Sequence, residues 1–117
     1  MRVLPVVAAL LLTCGTASLS ADARSDARRQ VEFGIAVAQR GLWREAIFRW
    51  ERAVQIDPTY AAAYNNLAIA YEHEGNLEKA RTSYEKAIEL DPNNTFIQQN
   101  YELFKEINDR TSRQDNQ

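Results

Sequence analysis

The stretch Val54–Asn76, "VQIDPTYAAAYNNLAIAYEHEGN", reads as helix on both sides of one interruption, Asp57-Pro58. The same dipeptide returns as Asp91-Pro92, after "KAIEL" as it first followed "RAVQI", so that Pro58 recurs as Pro92 at a shift of 34. Proline disfavours the α conformation in the residue before it, so each Asp-Pro ends a helix. Proline is also tolerated at the first position of a helix, where its missing N–H is not needed. The sequence therefore predicts that Asp57 caps the helix that follows, with almost no loop between the two.

The same shift lays Ala27–Tyr60 over Ala61–Asn94 and gives nine identities: Ala27/Ala61, Ile35/Ile69, Ala36/Ala70, Gly41/Gly75, Ala46/Ala80, Glu51/Glu85, Ala53/Ala87, Asp57/Asp91 and Pro58/Pro92. Phe33/Leu67, Trp50/Tyr84 and Val54/Ile88 are near-matches. A fixed period of about 20 to 50 residues marks stacked supersecondary units. Each unit divides into two helices. Tyr64, Leu67, Ala68 and Tyr71 share one helical face, Gly75 breaks the run, and Asn76 can cap a second helix. That second helix carries Leu77, Ala80, Tyr84, Ala87 and Ile88 at helical spacing. In the first unit the counterparts are Phe33, Gly34 and Val37, then Gly41, then Trp43, Ala46, Trp50, Ala53 and Val54. Alanines recur where two helices must approach closely.

In the second unit Tyr64, Leu67, Ala68, Tyr71, Gly75, Ala80, Tyr84, Ala87 and Pro92 resemble the signature of the tetratricopeptide repeat. The resemblance implies an all-α fold, a short right-handed α-solenoid. Residues 27–60 and 61–94 would be its two helix-turn-helix units, and residues 95–109 a solitary closing helix. The tetratricopeptide domain as a whole is expected over 24–109. Gln30 and Val37 depart from the signature in the first unit, as suits a terminal repeat with no neighbour on its outer side. Residues 110–117, "RTSRQDNQ", contain no apolar side chain and are expected to form a disordered tail.

The N-terminal segment, 1–23, differs from the rest. Arg2 precedes an apolar run from Val3 to Leu12, and Ala21-Asp22-Ala23 has the small-x-small form of a cleavage site. The run is too short to span a bilayer core, which needs about 20 residues, and the whole reads as a secretory signal peptide over 1–23. "LLTC" also resembles a lipobox, which makes Cys14 the candidate lipidation residue. A cut after Ala23 would leave no cysteine and no disulfide.

Little in the chain points to catalysis. Its one histidine is His73, flanked by Glu72 and Glu74, and adjacent helical residues point to different faces. Each glycine of the two units stands alone, so no phosphate-binding loop is present. A net charge of −2 gives no basis for binding nucleic acid. No enzyme activity, cofactor or metal is expected, and a membrane would be reached only through a lipid on Cys14.

The resemblance implies a binding surface. In the repeat family, partners lie in a concave groove lined by the first helix of each unit. The corresponding places hold Arg28, Val31, Ile35, Ala38 and Gln39, then Ala62, Asn65, Ile69, Glu72 and His73, with Asn66 beside them. Asn65 and Asn66 could bond an extended peptide backbone. A subclass that grips C-terminal carboxylates would need lysine, asparagine, lysine and arginine where Val31, Ile35, Phe96 and Asn100 stand, so that specificity is not expected. The expected function is a non-catalytic scaffold or adaptor that binds a protein or peptide in the periplasm or envelope of a bacterium. The alternative is a structural, self-associating module. From Arg24 to Tyr60 seven arginines face five acids, whereas from Ala61 to Asn94 three bases face six acids, an asymmetry that would suit a homo-oligomer stacked head to tail.

Overall fold

The computed structural model describes residues 14–117, with five helices: α1 Cys14–Ala38, α2 Trp43–Ile56, α3 Ala61–His73, α4 Leu77–Leu90 and α5 Thr95–Asp115. Helices α1 and α2 form one pair and α3 and α4 the next, while α2 packs on α3 and α4 on α5. This is the all-α solenoid of two units and a closing helix that the period implies. The expected export signal falls largely on residues 1–13, outside the described residues, and Cys14–Ala23 is the first part of α1. Among the described residues no helix is long and apolar enough to cross a membrane.

Glycine makes the turn inside each unit. Gly41 and Gly75 have φ of +79° and +76°, a left-handed conformation open to glycine without steric cost. The Gly75 N–H bonds to the Glu72 carbonyl at 2.9 Å and the Asn76 N–H to the Tyr71 carbonyl at 2.8 Å, which satisfies carbonyls at the end of α3. Asn76 then caps α4 by accepting the Lys79 N–H at 3.3 Å.

The junction between units differs from the expectation. Asp57 does end α2, but α3 starts only at Ala61, after Tyr60, so Asp57 is not its cap. Asp57-Pro58-Thr59-Tyr60 is instead a turn, closed by the Tyr60 N–H on the Asp57 carbonyl at 3.2 Å. The Asp57 carboxylate is engaged inside it, accepting the Thr59 N–H at 3.0 Å and the Thr59 hydroxyl at 2.6 Å. Arg24 Nε also donates to it at 2.5 Å. Burial alone would push this carboxyl up; the Thr59 and Arg24 hydrogen bonds outweigh it and hold it below the usual range. After Asp91-Pro92 the same turn leads to Asn94, which caps α5 by accepting the Phe96 and Ile97 N–H groups at 3.1 and 3.2 Å.

Two apolar clusters hold the stack. Trp50, Ala46 and Ala53 of α2 meet Ala27, Val31 and Val37 of α1 and Ala63, Leu67 and Ala70 of α3. Ala68, Ala80 and Tyr84 meet Phe104 of α5. Trp50 is only 3% exposed and lies against Gly34, where α1 offers no side chain; its indole N–H donates to the Val31 carbonyl at 3.1 Å. The rings of Tyr84, Tyr101 and Phe104 pack together, with Tyr84 5.7 Å from Tyr101 and 5.4 Å from Phe104. Burying a side chain of this size stabilises the fold by about 1.5–3 kcal/mol. Tyrosine hydroxyls add polar ties across each junction: Tyr71 donates to Glu51 and Tyr101 to Glu85, both at 2.9 Å. Burial, then the bond and charge of Glu51, push the Tyr71 hydroxyl up to about 12.

The C-terminal residues also depart from the expectation of a disordered tail, because α5 runs on to Asp115. No glycine or proline follows Pro92, and side chains sustain the helix. The hydroxyls of Thr111 and Ser112 bond carbonyls one turn back, and Arg110 pairs with Glu106.

Candidate functional site

Helices α1 and α3 stand side by side with α2 behind them. Between them lies a cleft of ≈ 280 Å³ lined by Ile35, Ala38 and Gln39 of α1, Asn66 and Ile69 of α3, and Trp43 and Trp50 of α2. Five of the residues singled out in the sequence therefore come together: Ile35, Ala38, Gln39, Asn66 and Ile69. The walls are apolar, and Gln39 and Asn66 supply the polar groups.

Others of that set do not join them. Val31 is 5% exposed and belongs to the core, where its carbonyl holds the Trp50 indole. Asn65 is 3% exposed, and its side-chain oxygen accepts from the Asn100 amide at 3.1 Å. It is committed to α5 and is not placed to bond a peptide backbone. The reason is angular: Val31 and Asn65 occupy equivalent places in their units, and that place points toward the neighbouring helices. Glu72 is half-buried and accepts the Tyr84 hydroxyl at 2.5 Å. Burial and this carboxylate push the Tyr84 hydroxyl far above its ordinary value. Ala62 is half-buried and lines no part of the cleft. His73 is exposed and stacks on Trp43, with ring centres 4.2 Å apart.

The two tryptophans are the lining residues that the sequence reading placed on the second helix of the unit and did not assign to the groove. Trp43 has a signal of its own: it stands where the second unit has the smaller Leu77, and it remains half-buried. Leu103 carries the other missed signal. It stands one period after Ile69, as Ile69 stands one period after Ile35, and it is exposed on α5 with Phe96 and Ile107. Among the described residues no group of three or more histidine, cysteine, aspartate or glutamate side chains could hold a metal ion.

Two sequence families match the chain, the Tetratricopeptide repeat over residues 61–94 and the TPR repeat over residues 34–75. The chain carries tetratricopeptide repeats and stacks them into an all-α solenoid. Repeats of this kind mediate protein–protein interaction. The chain is 37% identical over 62 residues to a probable UDP-N-acetylglucosamine–peptide N-acetylglucosaminyltransferase SPINDLY of Solanum lycopersicum, a match to 53% of this chain and 7% of that protein. It is 34% identical over 61 residues to the tetratricopeptide repeat domain-containing protein PYG7, chloroplastic, of Arabidopsis thaliana, covering 52% and 20%. It is 32% identical over 79 residues to the type IV pilus assembly protein PilF of Pseudomonas aeruginosa, covering 67% and 31%. The chain thus spans less than a third of the length of each of these relatives.

Proposed function

We infer that the chain is a non-catalytic adaptor that holds a segment of another protein against the cleft between α1 and α3. The observation that carries this reading is the cleft's lining: two tryptophans and two isoleucines with two amides and no charged group. A site of this composition holds apolar side chains and orients them with few polar contacts. One place in each first helix, held by Ile35, Ile69 and Leu103 in turn, continues the apolar track onto α5, where Phe96 and Ile107 flank it.

Ile35→Glu together with Ile69→Glu tests the site. In a complex the two carboxylates would lose water without gaining partners, at several kcal/mol, against about 8 kcal/mol for a micromolar affinity. Affinity capture from the source cell, identified by mass spectrometry, is expected to lose its specific partner with the double variant. Helicity should persist, because both sites touch solvent and glutamate is a good helix former. Capture that is undiminished, with circular dichroism unchanged, would place the interface elsewhere.

The same reading puts the adaptor outside the cytoplasm of a bacterium. Support comes from the apolar run Val3–Leu12, the Ala21-Asp22-Ala23 site and the likeness to a pilus assembly protein. Residues 20–22 around the proposed cuts are exposed and Ala23 is half-buried, as suits a site that a peptidase must reach. Intact-mass measurement of the protein recovered from the envelope is expected to show a chain beginning at Asp22 or Arg24, or a lipid-modified chain beginning at Cys14. An unprocessed chain beginning at Met1 in the cytoplasm would refute export.

A further inference from the structure

The stripe of α3 that seats the second unit on the first is Ala63, Leu67 and Ala70, all within the cluster around Trp50. The residues one period earlier, on α1, are Arg29, Phe33 and Ala36, and Arg40 follows in the turn after α1. Among the described residues no helix covers this line: all four are exposed, Phe33 by 48% with the Arg49 side chain against its ring. On α2, Arg44, Phe48 and Arg52 form a second line one turn apart, with Phe48 57% exposed. The Arg49 guanidinium lies 4.2 Å from the Phe33 ring centre and 5.6 Å from that of Phe48, so the two lines meet in one patch.

Arginine dominates this patch, with the exposed Glu32 beside the α1 line one turn before Ala36. Arg49 is paired with Glu45 at 3.0 Å, Arg29 pairs with Asp26, and Glu51 is held by the Tyr71 hydroxyl. Arg40, Arg44 and Arg52 are exposed at the rim, and among the described residues no carboxylate lies within ion-pair reach of them. An outer face that meets only water would be polar. This one presents two phenylalanines ringed by arginine. We propose that the outer face of α1 and α2 is a second docking surface, and that its occupant is a helix of another protein with acidic residues flanking an apolar ridge. A helix fits because the equivalent stripe of α3 is itself covered by a helix, α2. Acidic flanks fit because the three rim arginines lack counter-charges.

Two synthetic helical peptides with one leucine ridge, flanked in one by glutamate and in the other by lysine, test this on the full chain by fluorescence anisotropy. The glutamate peptide is expected to bind at least about tenfold more tightly, with the difference shrinking as salt is raised. Phe33→Ser with Phe48→Ser should abolish binding, and Arg40→Glu with Arg52→Glu should turn the preference to the lysine peptide. The charge-swap pair lies wholly on exposed positions and decides the matter even if the serine pair disturbs the fold. Ile35→Glu with Ile69→Glu should leave this binding intact, which separates the face from the cleft. Equal binding of the two peptides would overturn the proposal, as would loss of binding in the cleft variant alone. Concentration-dependent self-association of the parent, abolished by Phe33→Ser with Phe48→Ser, would also overturn it by making the occupant a second copy.

Discussion

Gly34→Val is expected to unfold the protein, seen as loss of most of the helical circular dichroism at room temperature. A Cβ at Gly34 would collide with Nε1 of Trp50 and lie within 2.8 Å of two further ring atoms. The indole cannot swing aside cheaply, because it is buried between α1 and α3 and bonded to the Val31 carbonyl. Overpacking of this kind costs about 1–3 kcal/mol, sometimes more, and an indole N–H torn from its buried acceptor adds about 1–3 kcal/mol. A small domain is stable by only about 5–15 kcal/mol, and this one has barely two and a half units over which to spread the loss. Gly34→Ala should be milder, since the gain in helix propensity, about 1 kcal/mol, offsets part of the clash. Coincident thermal melts of Gly34→Val and the parent would refute this account of the α1–α2 contact.

Phe104→Ala is expected to cost about 3–5 kcal/mol and to release α5 from the stack. Phe104 is among the most fully buried side chains of the protein and the deepest contact α5 makes with α4, sitting against Ala68, Ala80 and Tyr84. The guanidinium of Arg81 lies 5.3 Å from its ring, so truncation removes a cation–π contact as well. Hydrogen exchange should show the amides of α5 losing protection before those of α1–α3. Phe104→Leu, which keeps most of the volume, should recover most of the stability. Equal protection of α5 in Phe104→Ala and the parent would show that Ile97 and Tyr101 suffice to dock it.

The helices and their pairing were legible because the period repeats every cue at once: the glycine turn, the alanine contacts, the large aromatic and the proline. What the period does not encode is how a side chain divides between two roles. Asp57 had the right type and place for a helix cap, but the neighbouring Thr59 and the distant Arg24 claim its carboxylate. Asn65 had the right type for reading a peptide backbone, but Asn100 on α5 takes it. In both cases a deciding partner comes from another helix, and no local pattern announces it. The cleft was half legible: Ile35 and Ile69 were marked by register, whereas Trp43 and Trp50 were hidden by doubling as core. Composition misjudged the tail, because polar residues that bond their own backbone one turn back can prolong a helix already nucleated by packing.

Arg24 ties the two ends of the first unit together, reaching Asp57 Oδ2, the Thr59 hydroxyl at 3.1 Å and the face of Tyr60 at 4.7 Å. At the corresponding place in the second unit stands Pro58, which can make no such tie. A solenoid behaves as a row of coupled units in which the outermost, having a neighbour on one side only, fray first. The strap closes the first unit with a charged and an aromatic contact, while α5 is docked by its aromatic seam, the Tyr101 tie and the Asn65–Asn100 hydrogen bond. Helix α5, which packs chiefly on α4, is therefore expected to open before α1–α3, so the part of the protein that carries Ile35, Trp43 and Trp50 should keep its shape longest.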